Sequence, residues 1–501
     1  MGIFTKKADD FPFQKGTPES VGIKTEEMIA FYERLADYQI PMHSVLISRH
    51  DTLVTESYYA PFAQNTRQRM FSVTKSLVGL AIGILEGQGL CKRTDHIVDY
   101  FPEYVAEIPK NADGTFVGKY SYLQELTIEQ MLTMRTCHAK TTYVHDAEDD
   151  WVRTFFVTEP SHKPGTVFNY DTSSSHVLCA LVVKLTGKPM FSWMREQLLD
   201  EIGWSKEAKV LSNAYGQEIG GSGLCATPRD LMRLMNVLRQ NGMVHGRQVI
   251  PKDYVEAAIS KQVETDYKMD TIEERQGYGY QLWRTRYDGY CFYGMGGQYA
   301  VHYPAQDLLL VTTADTQGCK NSGQFIFEAF YETILRPMMA RKNVETLPEA
   351  NKEEYKRMQG VEHGRMLLLP KGNTTSPILT KVNKVRYVME ENSFGYRWVS
   401  IEIDGITGCM DYENQDGVGS LPFSMGENEV IQFPKYKIMA ASSAAWVDRN
   451  TLEIRVQLMD DQIGNVILAL HFSGDDLVVQ MRKFEETLLK EFNTIITGHK
   501  E

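Results

Sequence analysis

Cysteine is scarce in this sequence and never closely paired. Seven cysteines occur among 501 residues, and no two of them stand in a C-x-x-C arrangement. An odd, scattered set of this kind predicts neither a disulfide framework nor a zinc site. We therefore expect no metal centre and a set of reduced, buried thiols.

Long apolar runs and basic clusters are also missing. No stretch has the length and apolar character of a transmembrane helix, and no signal-peptide core follows the first lysines. The net charge of -12 and the pI near 5.6 argue against a nucleic-acid partner, because phosphate binding needs a basic surface. These absences predict a cytoplasmic protein without a membrane or nucleic-acid partner.

Several common catalytic motifs do not occur. The chain contains no G-x-S-x-G turn, which argues against an α/β-hydrolase. It also contains neither a P-loop nor H-E-x-x-H. The remaining candidate chemistry therefore has to come from other residue patterns.

The order of predicted elements indicates an α+β fold. The length predicts two or three domains. Strand patterns near residues 44–59 and 290–313 flank a mostly helical middle at about 91–240, and a helix follows from Gln324 to about Met339. This order predicts a domain over residues 1–340 with one antiparallel sheet, flanked by helices, that takes strands from both chain ends.

The last part of the chain has a different pattern. Residues 341–375 are polar and interrupted by proline and glycine, which predicts a linker with one short helix. Beyond it, Leu452, Ile454 and Val456 alternate with polar residues, as in a half-buried strand. We predict a separate antiparallel β domain over residues 376–501, either a sandwich or a barrel.

The strongest chemical signal is an S-x-x-K motif at the start of an apolar helix. A spacing of three places the Ser72 hydroxyl and the Lys75 amine on one helix face, one turn apart. The helix N-terminus offers unpaired N–H groups and the positive end of the helix dipole. Because burial disfavours a charged amine, Lys75 is expected to act as a base toward a nucleophilic Ser72.

Two weaker signals follow in the chain. Tyr170 comes after a glycine turn and directly before an apolar helix, where a phenol near a lysine could protonate a leaving group. Gly296 and Gly297 interrupt a strand pattern, which is typical of a close backbone approach or a bulge. An oxyanion hole needs this kind of access to a backbone N–H.

In this order the three elements resemble the serine β-lactamase and penicillin-binding protein superfamily. The likeness is to its class C-like branch of esterases, D-aminopeptidases and aminohexanoate-dimer hydrolases, and it runs from about Gly16 to Met339. It implies catalytic roles for Ser72, Lys75 and Tyr170. It also implies an oxyanion hole made by the N–H groups of Ser72 and Gln298, and no cofactor. The substrate-binding positions that it implies are Thr172, Met295, Gly296 and Gly297.

Two positions depart from the family pattern. Thr172 replaces an asparagine, and Met295 replaces the lysine or histidine with which β-lactamases and transpeptidases commonly hold a substrate carboxylate. The resemblance therefore favours hydrolysis of a small ester or amide substrate over β-lactam turnover.

Three other functions remain open. They are a D-amino-acid peptidase, a β-lactam-reactive protein of the penicillin-binding type, and a non-catalytic ligand-binding protein or acylation sensor. A homo-oligomer is compatible with each of them.

Overall fold

Strands from both ends of the first 340 residues form one seven-stranded sheet. The computed structural model describes residues 11–144, 149–265, 269–319, 322–433, 435–459 and 461–501. The strands of this part of the chain are β1 Gln14–Lys15, β2 Met42–Arg49, β3 Thr52–Tyr58, β4 Gln68–Arg69, β5 Lys209–Val210, β6 Leu224–Ala226, β7 Met243–Val244, β8 Arg247–Gln248, β9 Trp283–Arg284, β10 Tyr290–Gly294, β11 Gln298–Tyr303 and β12 Leu308–Ala314. The sheet order is β1-β3-β2-β12-β11-β10-β9, antiparallel except for the parallel edge pair β1–β3.

Helices cover both faces of this sheet, so its central strands are buried throughout. Every residue of β2 is buried. Leu46 packs into one core cluster, while Val45 and Ile47 pack into another, because successive side chains of a strand point to opposite faces. The α-helices of the whole described chain are α1 Thr25–Asp37, α2 Val73–Gly87, α3 Pro102–Val105, α4 Ile128–Leu132, α5 Trp151–Val157, α6 Thr172–Thr186, α7 Met190–Met194, α8 Pro228–Arg239, α9 Lys252–Ile259, α10 Ser322–Phe330, α11 Arg336–Ala340, α12 Lys352–His363 and, against the C-terminal β domain, α13 Leu379–Val382.

The helix that follows Ser72 lies inside the protein, as its sequence predicts. All residues from 73 to 85 in α2 are buried, because the helix carries apolar or small side chains on nearly every side. α2 packs against α6 and β10. Among the described helices, none is by itself long and apolar enough to cross a membrane. One pair bent by 68°, Thr172–Thr186 with Met190–Leu199, passes that test together.

The segment predicted as a linker lies along the first sheet. The 12-residue helix α12 packs against α1 and β3. Its Glu362 carboxylate accepts hydrogen bonds from the Thr55 hydroxyl at 3.0 Å and the Glu56 N–H at 2.9 Å. The buried Arg49 side chain donates to the carbonyl of Val344 at 2.7 Å. The exact limits of the predicted domains stay predictions.

The C-terminal β domain is a barrel, which decides between the two architectures left open by the sequence. Its ten-stranded sheet closes through a parallel pairing of β16 with β18 at Ser424↔Ser443 and Met425↔Ala444. The predicted alternation in β19 is confirmed, since Leu452, Ile454 and Val456 are buried in the barrel core. Its strands are β13 Arg386–Met389, β14 Trp398–Asp404, β15 Thr407–Asn414, β16 Gly417–Met425, β17 Glu429–Gln432, β18 Met439–Trp446, β19 Thr451–Leu458, β20 Asn465–Ser473, β21 Asp476–Phe484 and β22 Thr494–Lys500.

Candidate active site

Ser72 stands at the start of α2, on a turn with an unusual backbone. Phe71, the residue before it, has a φ of 46°, a left-handed conformation that costs energy in a non-glycine residue and often occurs at functional sites. The end of β10 approaches this turn closely. A Cβ atom added to Gly294 would lie 2.3 Å from the carbonyl oxygen of Met70. Glycine is therefore required where the sheet meets the turn that presents Ser72.

Lys75 lies beneath Ser72 and is almost entirely enclosed. Its exposed fraction is 1%, and its Nζ donates to Ser72 Oγ at 3.0 Å and to the carbonyl oxygen of Gly221 at 2.7 Å. Burial lowers the pKa of Lys75 to about 7, while the nearby carboxylates of Asp171 and Glu486 oppose this shift. Near neutral pH a substantial share of this amine is therefore uncharged and able to accept a proton.

Tyr170 closes the site from the opposite side. The Lys75 Nζ lies 4.9 Å from the centre of the Tyr170 ring, and the Trp283 ring lies 5.3 Å from it. Burial raises the pKa of Tyr170 well above its ordinary value, although hydrogen bonds to Ser72 and Trp283 oppose the shift. At neutral pH Tyr170 is thus a neutral phenol, which can donate a proton.

Asp171 holds Tyr170 in place by ending the loop and starting α6. Its carboxylate accepts hydrogen bonds from the N–H of Ser173 at 2.9 Å and from the hydroxyl of the same serine. A helix cap of this kind fixes the direction in which the chain enters the helix. Burial raises the pKa of Asp171 to about 6, against which the Ser173 hydrogen bonds and Lys75 act.

A cavity of about 590 Å³ opens in front of Ser72. Four residues selected from the sequence line it, namely Ser72, Tyr170, Met295 and Gly296. The lining also includes residues that sequence reasoning missed: Met269, Asp270, Thr271, Glu274, Trp283, Tyr293, Tyr299, Thr316, Cys319, Gly323 and Gln324. No spacing pattern singles these residues out, because they come from separate loops and strand ends.

The other selected residues lie near the cavity without lining it. The Thr172 N–H donates to the Thr141 hydroxyl at 3.1 Å. The Gly297 carbonyl accepts from the Thr312 hydroxyl at 2.9 Å. Gln298 is buried at the start of β11, and its side-chain amide donates to the carbonyls of Met295 and Ala314. The binding role of Thr172 and Gly297, and the oxyanion role of the Gln298 N–H, stay predictions.

Gly221 is a further partner that the sequence did not assign. The sequence offers only a glycine-rich run at Gly220-Gly221-Ser222-Gly223 as a signal. In the fold, the Gly221 carbonyl accepts a hydrogen bond from Lys75 and so orients the amine toward Ser72. Within the described part of the chain, no group of three or more histidine, cysteine or acidic side chains is placed to hold a metal ion.

Comparison with known proteins identifies a family and a curated relative. A family model described as Beta-lactamase matches residues 30–325. A 6-aminohexanoate-dimer hydrolase from Paenarthrobacter ureafaciens is 25% identical over 256 residues, which is 48% of this chain and 63% of that relative's length.

Two solved structures are similar in fold. A Bacillus anthracis protein, a candidate 6-aminohexanoate-dimer hydrolase, has a TM-score of 0.51 and 18% identity over 68% of this chain and 89% of its own. An octameric penicillin-binding protein homologue from Pyrococcus abyssi has a TM-score of 0.47 and 14% identity over 94% of this chain and 99% of its own.

Proposed function

The chain belongs to the Beta-lactamase family, and from that premise we propose that it is a serine hydrolase acting through an acyl-enzyme on Ser72. Its substrate is a small molecule with an ester or amide bond. The observation that carries the proposal is the 3.0 Å contact between Ser72 Oγ and the buried Lys75 Nζ. A buried amine with a lowered pKa beside a hydroxyl is the arrangement that nucleophilic catalysis requires.

The proposed reaction has two acyl-transfer steps. Lys75 takes the hydroxyl proton while Ser72 Oγ forms a bond to the substrate carbonyl carbon. The N–H groups of Ser72 and Gln298 stabilise the resulting oxyanion. Tyr170 donates a proton to the leaving group as its bond breaks, and the proton on Lys75 restores the phenol. Water then attacks the acyl-enzyme and releases the acid, regenerating Ser72.

The lining of the cavity favours ester or amide hydrolysis over β-lactam turnover. Met295 lines the cavity at the position where the family pattern has a cation. Of the lining residues that the structure describes, none is lysine, arginine or histidine. A substrate carboxylate would therefore find no opposite charge on these side chains.

Covalent labelling tests the proposed function directly. The full chain is incubated with a fluorophosphonate, and the adduct is detected by intact-mass spectrometry and located by peptide mapping. We expect one adduct per chain, on Ser72, because the probe reacts with activated serines. Release of p-nitrophenol from an ester should then continue over many turnovers. A single stoichiometric burst would support the acylation sensor, and a folded protein that neither reacts nor turns over would contradict the proposal.

Replacing Tyr170 with phenylalanine removes the proposed proton donor and leaves the ring in place. We expect kcat/KM for an amide substrate to fall by about 10²-fold, the effect of losing a general acid. The loss should be smaller for a p-nitrophenyl ester, whose leaving group needs little protonation.

Tyr278→Phe is the matched control for this change. Tyr278 lies in the same aromatic cluster, with its ring centre 6.2 Å from that of Tyr170, but it does not line the cavity. Equal losses for the two substrates in Tyr170→Phe, or equal losses in the two variants, would contradict the role of Tyr170.

A further inference from the structure

The C-terminal barrel lines a cavity that adjoins the candidate active site. Phe484 ends β21, and the loop that follows carries Glu485 and Glu486. These three residues line a second cavity of about 380 Å³. This cavity adjoins the one in front of Ser72, because Met295, Gly296 and Thr316 line both. A substrate bound at Ser72 that extends past Met295 therefore reaches the barrel loop.

The barrel is held against the catalytic domain by buried polar contacts. Asp315, directly after β12, accepts hydrogen bonds from Gln457 Nε2 at 3.0 Å and Asn465 Nδ2 at 2.9 Å, both on barrel strands. Asp461 of the barrel pairs with Arg67 at 2.9 Å. These contacts fix the orientation of the loop relative to Ser72.

The residues that precede Glu486 are held by packing and by a hydrogen bond. The Phe484 ring packs on Gly318 so closely that a Cβ atom there would lie 2.3 Å from the ring. The buried Glu485 carboxylate accepts from the Thr487 N–H at 2.9 Å. Glu486, between these anchored neighbours, has an exposed side chain. Within the described residues, no hydrogen bond or ion pair engages its carboxylate.

The charge of Glu486 influences the Lys75 amine. The Lys75 amine has its pKa lowered mainly by burial, and Asp171 and Glu486 raise it. Burial raises the pKa of Tyr143, and Asp171 and Glu486 add to the increase. Glu486 is thus close enough to influence Lys75, the direct hydrogen-bond partner of Ser72.

The two adjoining cavities together suit a positively charged ligand group. Asp270 and Glu274 add carboxylates to the catalytic cavity, and Trp283 and Tyr293 add aromatic surfaces. Met295, between the two cavities, is neutral. Carboxylates together with aromatic faces attract ammonium groups.

We propose that Glu486 is a specificity-determining residue of the Ser72 site, which selects substrates that carry an ammonium group toward the barrel. The inference rests on the proposed function and adds a substrate class to it. It also gives the barrel a role, since the selecting carboxylate comes from a different domain than the nucleophile.

The experiment compares matched substrate pairs that differ only in charge. In the first pair the acyl group carries the charge: p-nitrophenyl 4-(trimethylammonio)butanoate against p-nitrophenyl 5,5-dimethylhexanoate. In the second the leaving group carries it: acetylthiocholine against S-(3,3-dimethylbutyl) thioacetate. Each pair exchanges a trimethylammonium group for a tert-butyl group of the same shape. Both members of a pair depend on Lys75 in the same way. An effect of a variant on Lys75 therefore changes both kcat/KM values and drops out of their ratio.

We expect the wild-type protein to prefer the cationic member of at least one pair. Glu486→Gln should lower that preference by about 3- to 10-fold, the range for a partly exposed charge pair, and Glu486→Lys should lower it further. The matched control is Glu391→Gln, which removes an exposed charge of the barrel outside both cavities. It should keep the wild-type ratio.

Salt provides a second measurement that needs no variant. Raising NaCl from about 0.01 M to about 1 M shortens the Debye length from about 30 Å to about 3 Å, so the preference of the wild-type protein for the cation should weaken. An unchanged ratio in both Glu486 variants, or no preference for a cation in either pair, overturns the inference. If the neutral esters are still hydrolysed, the proposed function survives that result. If no ester is hydrolysed and Ser72 takes no label, the proposed function itself fails.

Discussion

Ser72→Ala is expected to abolish fluorophosphonate labelling and to lower kcat for ester hydrolysis by at least about 10³-fold. The change removes the atom that would form the acyl-enzyme, so that only uncatalysed attack by water remains. The fold should persist, because Ser72 precedes α2 and its side chain does not cap the helix. The measurement combines intact mass, steady-state release of p-nitrophenol and thermal unfolding.

Ser76→Ala is the matched control for this change. Ser76 lies one turn further along α2, and its buried hydroxyl donates to the Gln281 carbonyl at 2.7 Å. Its loss should cost about 1 kcal/mol of unfolding free energy but leave labelling intact. Undiminished turnover in folded Ser72→Ala would show that another group carries the reaction.

Lys75→Met is expected to lower kcat/KM by about 10²- to 10⁴-fold, the range for loss of a general base. Methionine has a similar length and is readily buried, so the side-chain volume beneath Ser72 is largely kept. Lys75→Arg should be as inactive, because a guanidinium cannot release its proton at these pH values. Lys92→Met, at an exposed lysine just beyond α2, should keep the wild-type rate.

The pH profile separates a base from a structural lysine. Since burial lowers the pKa of Lys75 to about 7, its neutral, proton-accepting form increases as the pH rises through 7. The wild-type kcat/KM for a neutral ester should therefore rise through this range and level off above it. The residual activity of Lys75→Met should lack this rise. A wild-type profile that is flat around neutral pH would contradict the assignment of Lys75 as the base.

Labelling and turnover measured together separate an enzyme from a sensor. A sensor acylated on Ser72 would need Lys75 for the first step and would lose labelling in Lys75→Met. It would show no continuing turnover even in the wild-type protein. In a hydrolase, Lys75→Met lowers both the rate of labelling and the rate of turnover, and the wild-type protein turns over continuously. Labelling and steady-state turnover therefore distinguish the proposed serine hydrolase from an acylation sensor.

The contact between Ser72 and Lys75 was predictable because it is local. The two residues are three positions apart at the start of a helix, so the helical repeat alone places their side chains on one face. The observed Nζ–Oγ distance of 3.0 Å follows from that repeat. The burial of α2 was predictable for a similar reason, since its apolar residues leave no face suited to water.

The position of Tyr170 was predictable only through its resemblance to a known pattern. Its place before the N-cap residue of α6 indicates an exposed loop end, but nothing in the spacing brings it to Lys75, 95 positions earlier in the sequence. The packing of α6 against α2 makes that contact. Thr172 and Gly297 show the limit of the same reasoning, because neighbours of a motif in sequence do not all face the cavity.

The sequence by itself determined the α+β class, the alternation of the barrel strands and the Ser72–Lys75 pair, because each depends on a repeat within a few residues. Only the tertiary structure decided that the last ten strands close into a barrel and that Gly221 orients Lys75. It alone also placed Trp283 and Glu274 in the cavity with Ser72, and Glu486 in the adjoining one. The contacts of the site join residues more than a hundred positions apart. Like the closure of the barrel, they form through the packing of whole elements, which no local pattern records.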